Sequence, residues 1–524
     1  MGTFFICDYI GGMNQRPGMY CINPVKGAYR LAFIIVVTGL LLSGLRGTAQ
    51  KVFDFNATCR EAYKEIIQLK LQRGQELLQQ EKAANPDNLV PVFLENYIDF
   101  FNLFFNEDPA EYSRRIKNLD ARLDQLNDGP ATSPFYLYCK AVIHFQWAAV
   151  RIKFGYTWDA GWAFRRSFLQ AKANYKAHPA FSPNLLFTGA MQVAAGTIPD
   201  GYKWLSSLLG IKGTISEGMS RVEQFLQSDD EWARLFREEA IFYYCYLKFY
   251  IANDREGVFH FIRKQQLDLV NNHLFAYLAA NLALNSQQAE MTKTVILNRN
   301  PSSGYFDTPV WDMELGYAKL FHLENDAAFY LQRFVDRFKG KFYVKDALQK
   351  LSWYYYLQGD RAKAEAYRKT ILQRGNTETE ADKQAQKEAK TTQWPHPLLL
   401  RVRLLNDGGY HREAIRLLHG KTANDFALPE EKLEFAYRAG RLYDDLHVDD
   451  QAVDFYKQAV ILGEKRREYY AARAALQIGF IYEKKGDKAS AIAWFQRCLS
   501  MKDHDYKNSL DQRAKAGIAR CKEN

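Results

Sequence analysis

The side chains that could do chemistry are scattered along this chain rather than grouped. His411 and His419 lie eight positions apart on a predicted helix, a separation of about 12 Å that is too long for one shared metal ion. The acidic runs over 229–231 and 238–239 fall where helices are predicted to begin, and carboxylates stabilise that end of a helix. We therefore interpret these residues as structural.

Catalytic sequence motifs do not occur in the chain either. A nucleophilic serine on a strained turn would need GxSxG, a phosphate-binding loop GxxxxGK[ST], and a zinc protease HExxH. None of these patterns is found in the 524 residues. We predict that the protein is not an enzyme and that it has no cofactor and no bound metal.

The composition is that of a folded helical protein. Hydrophobic residues make up 47% and charged residues 25% of the chain, as in ordinary globular proteins. The mean hydropathy of −0.38 excludes a protein with several membrane spans. Only 15 prolines and 32 glycines are present, fewer than the turns of an all-β chain would need. The net charge of +10 is not collected in a basic block, so we expect no nucleic-acid partner.

The first 49 residues have the pattern of an export signal. Lys26 and Arg30 precede an apolar run over 31–45, and small residues stand at Gly47 and Ala49 before the expected cleavage point. A helix over the apolar run would be about 22 Å long, shorter than a hydrocarbon core of roughly 30 Å. We predict a cleaved signal peptide with an N-terminal extension. The alternative is an uncleaved inner-membrane anchor through 31–45, the only case in which we expect membrane contact.

From Asn56 onward, apolar residues recur at helical spacing. Asn56 is placed to cap a first helix, and an aromatic-rich helix is predicted over Pro91–Phe105. Further helices are predicted over about 110–127, 134–153, 159–176, 183–196, 216–227 and 231–252. Because no run of alternating residues is long enough for a sheet, the predicted fold class is all-α.

The second half of the chain contains an internal repeat. When Gly479 is aligned on Gly440, small and aromatic residues recur at the same offsets, 39 residues apart. The matching positions are Gly440, Tyr443 and Ala452 in one copy and Gly479, Tyr482, Ala491 and Phe495 in the next. The small residues allow two antiparallel helices to approach, and the aromatic ones fill the space beside them. The pattern resembles the tetratricopeptide repeat, a helix–turn–helix unit of about 34 residues.

This resemblance implies a right-handed α-solenoid of antiparallel helix pairs, degenerate in its N-terminal half. We divide the chain into the signal region 1–49, an aromatic-rich helical domain over 50–300 and a repeat array over 301–524. A polar-faced helix over 509–520 is expected to cap the array. The polar stretch 374–393 is interpreted as a solvated loop or helix extension.

Two further resemblances concern family and location. Segment 196–226 is similar to a segment of the inclusion-body-clearance and tetratricopeptide repeat protein 39 family, which implies helical-repeat architecture. The signal ending in Thr48-Ala49-Gln50, with the aromatic-rich helical chain after it, resembles exported repeat proteins of Bacteroidetes-type bacteria. The second resemblance implies a periplasmic location.

A repeat array of this kind has a concave surface lined by the first helix of each pair. The tetratricopeptide pattern assigns eight residues to this groove: Gln349, Trp353, Tyr356, Tyr437, Arg441, Arg473, Phe480 and Lys484. Arginine and aromatic side chains are suited to anchoring a peptide, since they make large contacts and freeze few rotamers. Trp353 and Phe480 have a second interpretation, which is packing against a neighbouring repeat. The predicted function is a non-catalytic exported scaffold that binds a protein or peptide partner in the cell envelope.

The alternative function is a glycan-binding surface protein similar to the helical starch-utilisation lipoproteins. Trp158 and Trp162 are the candidate sugar platform, although we expect both in the core. Those lipoproteins carry a cysteine at the cleavage point, whereas the nearest downstream cysteine here is Cys59.

Cys498 and Cys521 are interpreted as buried apolar residues, with a disulfide between them as the alternative.

Overall fold

A computed structural model describes residues 50–196 and 214–522. The predicted signal region, with its apolar run over 31–45, lies outside the described residues, as does 197–213. Within the described ranges the regular structure is helical, apart from one isolated β-bridge between Val52 and Asn88. None of the helices in those ranges has both the length and the apolar character needed to cross a membrane.

The described chain is a series of helices joined mostly by short turns. The first part forms α1 Ala57–Ile67, α2 Leu71–Ala84, α3 Val90–Asn106, α4 Pro109–Arg115, α5 Lys117–Asn127, α6 Pro134–Lys153, α7 Thr157–Ala177, α8 Pro183–Gly196, α9 Ile215–Gln227, α10 Glu231–Leu235, α11 Arg237–Tyr250 and α12 Arg255–Lys264. The second part forms α13 His273–Leu284, α14 Ala289–Asn298, α15 Val310–Phe321, α16 Ala327–Arg337, α17 Val344–Leu357, α18 Arg361–Ile371, α19 Glu380–Ala389, α20 Pro397–Gly408, α21 His411–Leu418, α22 Pro429–Asp445, α23 Asp449–Gly463, α24 Tyr470–Lys484, α25 Lys488–Ser500 and α26 Lys507–Lys522.

Most predicted helices are present with similar bounds. Asn56 caps α1, because its side chain accepts a hydrogen bond from the backbone N–H of Cys59 at 3.0 Å. The stretches 110–127 and 231–252, each predicted as one helix, are two helices that break at Ile116 and Phe236. At the second break the Phe236 ring is fully buried and packs 5.1 Å from the Tyr63 ring, so the bend turns an aromatic side chain into the core.

The helices pack as a solenoid of antiparallel pairs, which confirms the predicted fold class. Each helix of the pairs α22–α23 and α24–α25 lies against its partner, and the first helices also pack on one another in the order α22, α24, α26. The same arrangement holds upstream for the pairs α13–α14, α15–α16 and α17–α18. The first helices therefore form a continuous inner layer.

Glycines at the repeat positions bring the paired helices unusually close. A Cβ atom on Gly440 would lie 2.6 Å from the Tyr456 ring, and one on Gly479 would lie 2.5 Å from the Phe495 ring. Gly517 on α26 approaches the opposite edge of the Phe495 ring at 2.5 Å. Real Cβ atoms essentially never come this close, so any side chain at these positions would push the helices apart.

The residues at the other repeat positions lie in the same contacts between paired helices. Ala452 and Ala491 are fully buried on the second helices. Tyr443 stacks on Phe455 with ring centroids 5.5 Å apart. Tyr482 is partly buried against the core cluster formed by α22 to α26.

The polar stretch 374–393 is not a solvated loop or a simple helix extension. It contains α19, which packs on α17. The fully buried Asp382 carboxylate accepts hydrogen bonds from the backbone N–H groups of Tyr343 at 2.8 Å and Asp346 at 3.0 Å. It thereby caps the start of α17, where no local side chain satisfies these donors. Polar composition misled the prediction because α19 buries only Asp382 and Ala385 and is held largely by polar contacts, such as that of Glu388 with Gln349.

The N-terminal part packs around aromatic side chains and a buried carboxylate. Glu239 on α11 accepts hydrogen bonds from the Tyr63 hydroxyl at 2.7 Å and the Tyr97 hydroxyl at 3.1 Å, which joins α1, α3 and α11. Burial raises the pKa of Glu239. The largest apolar cluster runs from Phe55 to Leu404, without interruption at residue 300. The domain boundary at 300 stays a prediction.

Successive turns of the solenoid contact each other directly. The Glu107 side chain, after α3, accepts a hydrogen bond from Lys153 Nζ at 2.7 Å and another from the backbone N–H of Lys341 at 3.2 Å. Further along, Tyr506 donates to the Gln384 side chain at 2.6 Å. The contacts of Glu107 with Lys341 and of Tyr506 with Gln384 join residues more than a hundred positions apart and link successive turns of the inner layer.

We expect Gly479→Ala to destabilise the protein by about 1–3 kcal/mol, because the added methyl group overlaps the Phe495 ring. The matched control is Gly161→Ala, in a helix where an added Cβ meets nothing within 4 Å. That change should raise stability by about 0.5–1 kcal/mol through helix propensity. Urea unfolding followed by circular dichroism measures both. Equal effects of the two changes would show that the close contact at Gly479 is unimportant.

Candidate partner-binding groove

The inner layer of helices encloses a cavity of about 1010 Å³. One wall is formed by side chains of α15, α17, α22, α24 and α26. The opposite rim comes from the turns over 250–256 and 284–287, which belong to an earlier part of the solenoid. The cavity is therefore a product of curvature, and its two sides are distant in sequence.

Arg441 on α22 is the centre of an ion-pair network in this cavity. Its guanidinium lies 2.7 Å from Asp407 and 3.7 Å from Asp445. Asp445 also accepts hydrogen bonds from Gln287 and Asn406, each at 2.9 Å. Burial alone would raise the pKa of Asp407, but the positive charge of Arg441 and its arginine neighbours outweighs it and lowers that pKa. The network ties the 284–287 turn to the repeat array.

A second network lies on α15 and α17. Asp346 accepts a hydrogen bond from the Tyr317 hydroxyl at 2.7 Å and another from Lys350 Nζ at 2.6 Å. The Lys350 ammonium also lies 4.8 Å from the centre of the Trp353 ring. The charges on this wall are thus satisfied within the protein.

The wall formed by α24 and α26 differs from the rest. Arg473, Gln477 and Arg513 line the cavity there, together with Tyr437 and Tyr456. Neither Arg473 nor Arg513 forms an ion pair with any residue that the structure describes. Burial, and after it the positive charge of Arg473, lowers the pKa of Arg513. Two cationic side chains thus line this wall of the cavity without an ion-pair partner among the described residues.

The structure places three of the eight predicted groove residues in the cavity: Tyr437, Arg441 and Arg473. Gln349 is buried and donates a hydrogen bond to Glu388 of α19 at 2.6 Å. Trp353 is buried between Lys350 and Arg403. Helix α19 and the residues after it therefore occupy the side of α17 on which the prediction placed a groove.

The other three lie outside this cavity. Tyr356 stacks on Trp394 with ring centroids 4.6 Å apart. Phe480 lies between Phe495 and the Arg513 guanidinium, beside a smaller pocket of about 490 Å³. Lys484 is an exposed residue at the end of α24.

Several cavity residues were missed from the sequence. Lys350 and Asp407 face the cavity although they fall outside the positions chosen from the repeat pattern. Arg513 had a detectable signal, since it follows Arg473 by 40 residues, close to the 39-residue repeat offset. The rim over 250–256 had no such sequence signal, because nothing in its local sequence indicates which later helices it faces.

A buried acid lies behind the cavity. Glu314 on α15 is fully buried and accepts a hydrogen bond from the Asn281 amide at 2.7 Å, while its second carboxylate oxygen has no protein partner. Burial raises the pKa of Glu314 to about 7, against the opposing effect of the Asn281 hydrogen bond. Asn281 in turn accepts a hydrogen bond from the hydroxyl of Tyr250, a cavity residue, at 3.4 Å.

Trp158 and Trp162 do not lie in the core. They are 55% and 49% exposed and stand one helical turn apart on α7. The expectation that both are core residues is therefore wrong. Arg165 lies 5.8 Å from the centre of the Trp162 ring. Hydrophobic residues at helical spacing usually mark a buried face, and here that rule fails because α7 lies at the surface of the solenoid.

Potential reactive groups are buried or dispersed. Within 50–196 and 214–522, no group of three His, Cys, Asp or Glu side chains is arranged to hold a metal ion. Cys498 and Cys521 are buried and not joined by a disulfide. Burial raises the pKa of the Cys498 thiol to about 12, so it stays protonated.

The comparisons with known proteins define the class of protein. Residues 472–505 match the model of the tetratricopeptide repeat, and α24, α25 and the turn after them are therefore such a repeat. This confirms the resemblance inferred from Gly479 and Phe495. The similarities to the tetratricopeptide repeat protein 39 family and to exported Bacteroidetes-type proteins stay predictions. No curated protein matches the sequence.

Two solved structures are similar in part. The APC/C hetero-tetramer Cut9–Hcn1 shares 13% identity over 88% of this chain and 95% of the other, with a TM-score of 0.27. The 70-kDa soluble lytic transglycosylase in complex with bulgecin A shares 14% identity over 83% of this chain and 76% of the other, with a TM-score of 0.21. With scores this low, no function follows from either similarity.

The pKa of Glu314 predicts a pH dependence of stability. The folded protein binds the proton more tightly than the unfolded chain, whose glutamate has a pKa near 4.5. The resulting stabilisation, about 3 kcal/mol, is present below pH 4.5 and is lost as pH rises through 7. Glu314→Gln should lack this component. Urea unfolding at pH 5 and pH 8 should therefore show a larger loss of stability in the wild type than in the variant. An identical loss in both proteins would mean that Glu314 does not titrate in this range.

Proposed function

We propose that the protein is a non-catalytic scaffold and that the cavity between its inner helices binds a segment of a partner protein. Tetratricopeptide repeats are typical of protein–protein interaction scaffolds, and residues 472–505 are one. The observation that carries the proposal is the cavity wall formed by Arg473, Arg513 and Tyr437. Arginine and tyrosine are the side chains that most often anchor a partner in a recessed site.

We also propose that the protein acts in the cell envelope after export. The support comes from the sequence alone: the basic residues, the apolar run over 31–45 and the small residues before Gln50. A periplasmic scaffold would keep the mature helical array away from the cytoplasm. The alternative is the same array held at the inner membrane through 31–45.

Site-specific photocrosslinking tests the proposed groove in cells that naturally make the protein. The photoreactive residue p-benzoylphenylalanine is placed at Gln477, which lines the cavity. The matched control places it at Ile461, which is 77% exposed on the second helix of a pair. We expect discrete protein adducts from position 477 and not from position 461, because only the cavity encloses a partner. Equal adduct patterns at the two positions, or none at 477, would contradict the proposal.

A second candidate function, glycan binding, is favoured by one observation. Trp158 and Trp162 present two exposed indole rings on the same side of α7. Flat aromatic surfaces of this kind stack against the apolar face of sugar rings. This surface is separate from the cavity, so glycan binding does not compete with the scaffold function.

Affinity electrophoresis in gels that contain soluble starch or xylan tests the glycan candidate. If the two indoles form a sugar platform, the wild-type protein is retarded and the variant with Trp158→Ala and Trp162→Ala is not. Phe329→Ala is the control, because it removes an aromatic residue that is 57% exposed on α16. Unchanged retardation in the double tryptophan variant would reject this candidate.

A further inference from the structure

We propose that the cavity selects an acidic peptide segment, whose side-chain carboxylates pair with Arg473 and Arg513. The inference rests on the proposed function, because it takes the cavity to be the partner-binding groove. The inference specifies the charge of the partner segment, which the proposed function leaves open. The segment would carry Asp or Glu residues where it meets α24 and α26.

The charge balance of the cavity walls favours an acidic ligand. The acidic side chains on the array wall have partners within the protein: Asp407 and Asp445 pair with Arg441, and Asp346 pairs with Lys350. Arg403 also lies 3.8 Å from Asp407, so the three carboxylates face three cationic groups of the protein itself. The remaining ionised groups decide what the cavity attracts.

Those remaining groups are predominantly positive. Arg473 and Arg513 have no ion-pair partner among the described residues. Arg255, at the opposite rim, donates a hydrogen bond to the Asn285 backbone oxygen at 3.3 Å and lies over the Phe249 ring, and it has no ion-pair partner among the described residues. Glu256 is the one acidic lining residue without a hydrogen-bond or ion-pair partner in the described part of the chain. Three uncompensated arginines against one glutamate give this part of the cavity a positive potential.

Arg473 and Arg513 line the same cavity without an ion-pair partner among the described residues. Two guanidinium groups on one cavity wall repel each other, and the repulsion grows as water is displaced. A carboxylate bound between them would remove this repulsion and form charge-assisted hydrogen bonds. The Arg513 guanidinium is held 5.2 Å from the Phe480 ring, which positions it before any ligand arrives.

The distribution of charge along the cavity favours a peptide over a uniformly charged polymer. An anionic polysaccharide carries charge along its whole length, whereas away from Arg473 and Arg513 the charged side chains of the array wall are already paired within the protein. A peptide can place acidic residues at the arginine end and neutral ones at the other. The rings of Tyr437, Tyr456 and Tyr317 offer contacts for those neutral side chains.

Fluorescence anisotropy with synthetic peptides tests the charge preference. Three adjacent inner helices span about 20 Å, which corresponds to about six residues of an extended peptide, so an eight-residue probe spans them with about one residue to spare at each end. The probe is fluorescein-labelled Ser-Glu-Asp-Glu-Asp-Leu-Tyr-Gly with both ends blocked, so that the peptide portion has only side-chain carboxylates; the neutral probe carries the same label, which cancels the charge of the dye. The neutral probe replaces Glu by Gln and Asp by Asn.

Matched charge reversals separate the arginine pair from overall charge. The cavity variant combines Arg473→Glu with Arg513→Glu. The control combines Lys484→Glu with Lys515→Glu, which are exposed residues on the same two helices outside the cavity lining. Both double variants change the net charge equally. Circular dichroism melts establish that each variant is folded before binding is measured.

We expect the acidic probe to bind the wild type saturably and the neutral probe to bind at least about 10-fold more weakly. The cavity variant should lose about 30-fold or more in affinity for the acidic probe, and the control should stay within about twofold. Equal loss in both variants, or no saturable binding of the acidic probe, would overturn the inference. So would tighter binding of polygalacturonate than of the peptide through the same arginines.

The outcomes also separate this inference from the proposed function. Equal affinity for the acidic and neutral probes would overturn the charge preference but leave the groove as a peptide-binding site. Absence of binding by either probe, together with absence of crosslinks from position 477, would overturn both.

Discussion

The structure depends on the close approach of glycine backbones to aromatic rings between paired helices. Phe495 is the clearest case, because its ring is fully buried between Gly479 and Gly517, on the first helices of two successive units. One ring thereby sets the spacing of a helix pair and the position of the next unit. Since Gly440 meets Tyr456 in the same way one repeat earlier, the geometry is repeated and the inner helices form one curved layer.

That curvature determines which charged groups meet. Contacts between successive turns, such as Tyr506 with Gln384 and Gln287 with Asp445, accompany this curvature, and the second holds the 284–287 rim against the later repeats. The array wall then divides into a part where acids and bases pair with each other and an end where Arg473 and Arg513 do not. Because other charged side chains of the array wall are paired within the protein, this imbalance distinguishes the Arg473 and Arg513 end from the rest of the groove.

The sequence predicted the helix pairs well and the groove less well, for physical reasons. Small and aromatic residues contact each other within one repeat, so Gly479 and Phe495 identify the fold locally. The groove depends on contacts across turns of the solenoid. Gln349 and Trp353 are buried by α19 and α20, and α19 has only Asp382 and Ala385 buried, too few for a helical hydrophobic pattern. Nothing in the sequence around Trp158 and Trp162 indicated that α7 lies at the surface of the solenoid.

The most direct test of the account is the distance between α19 and the turn before α26, measured by pulsed electron paramagnetic resonance. Spin labels on Lys383→Cys and Asp503→Cys report it, since both positions are exposed and the native cysteines of the described chain are buried. The account predicts a short, narrow distribution that becomes longer and broader when Gly479→Leu is added. A broad distribution in the parent protein, or one that Gly479→Leu leaves unchanged in a folded chain, would contradict it.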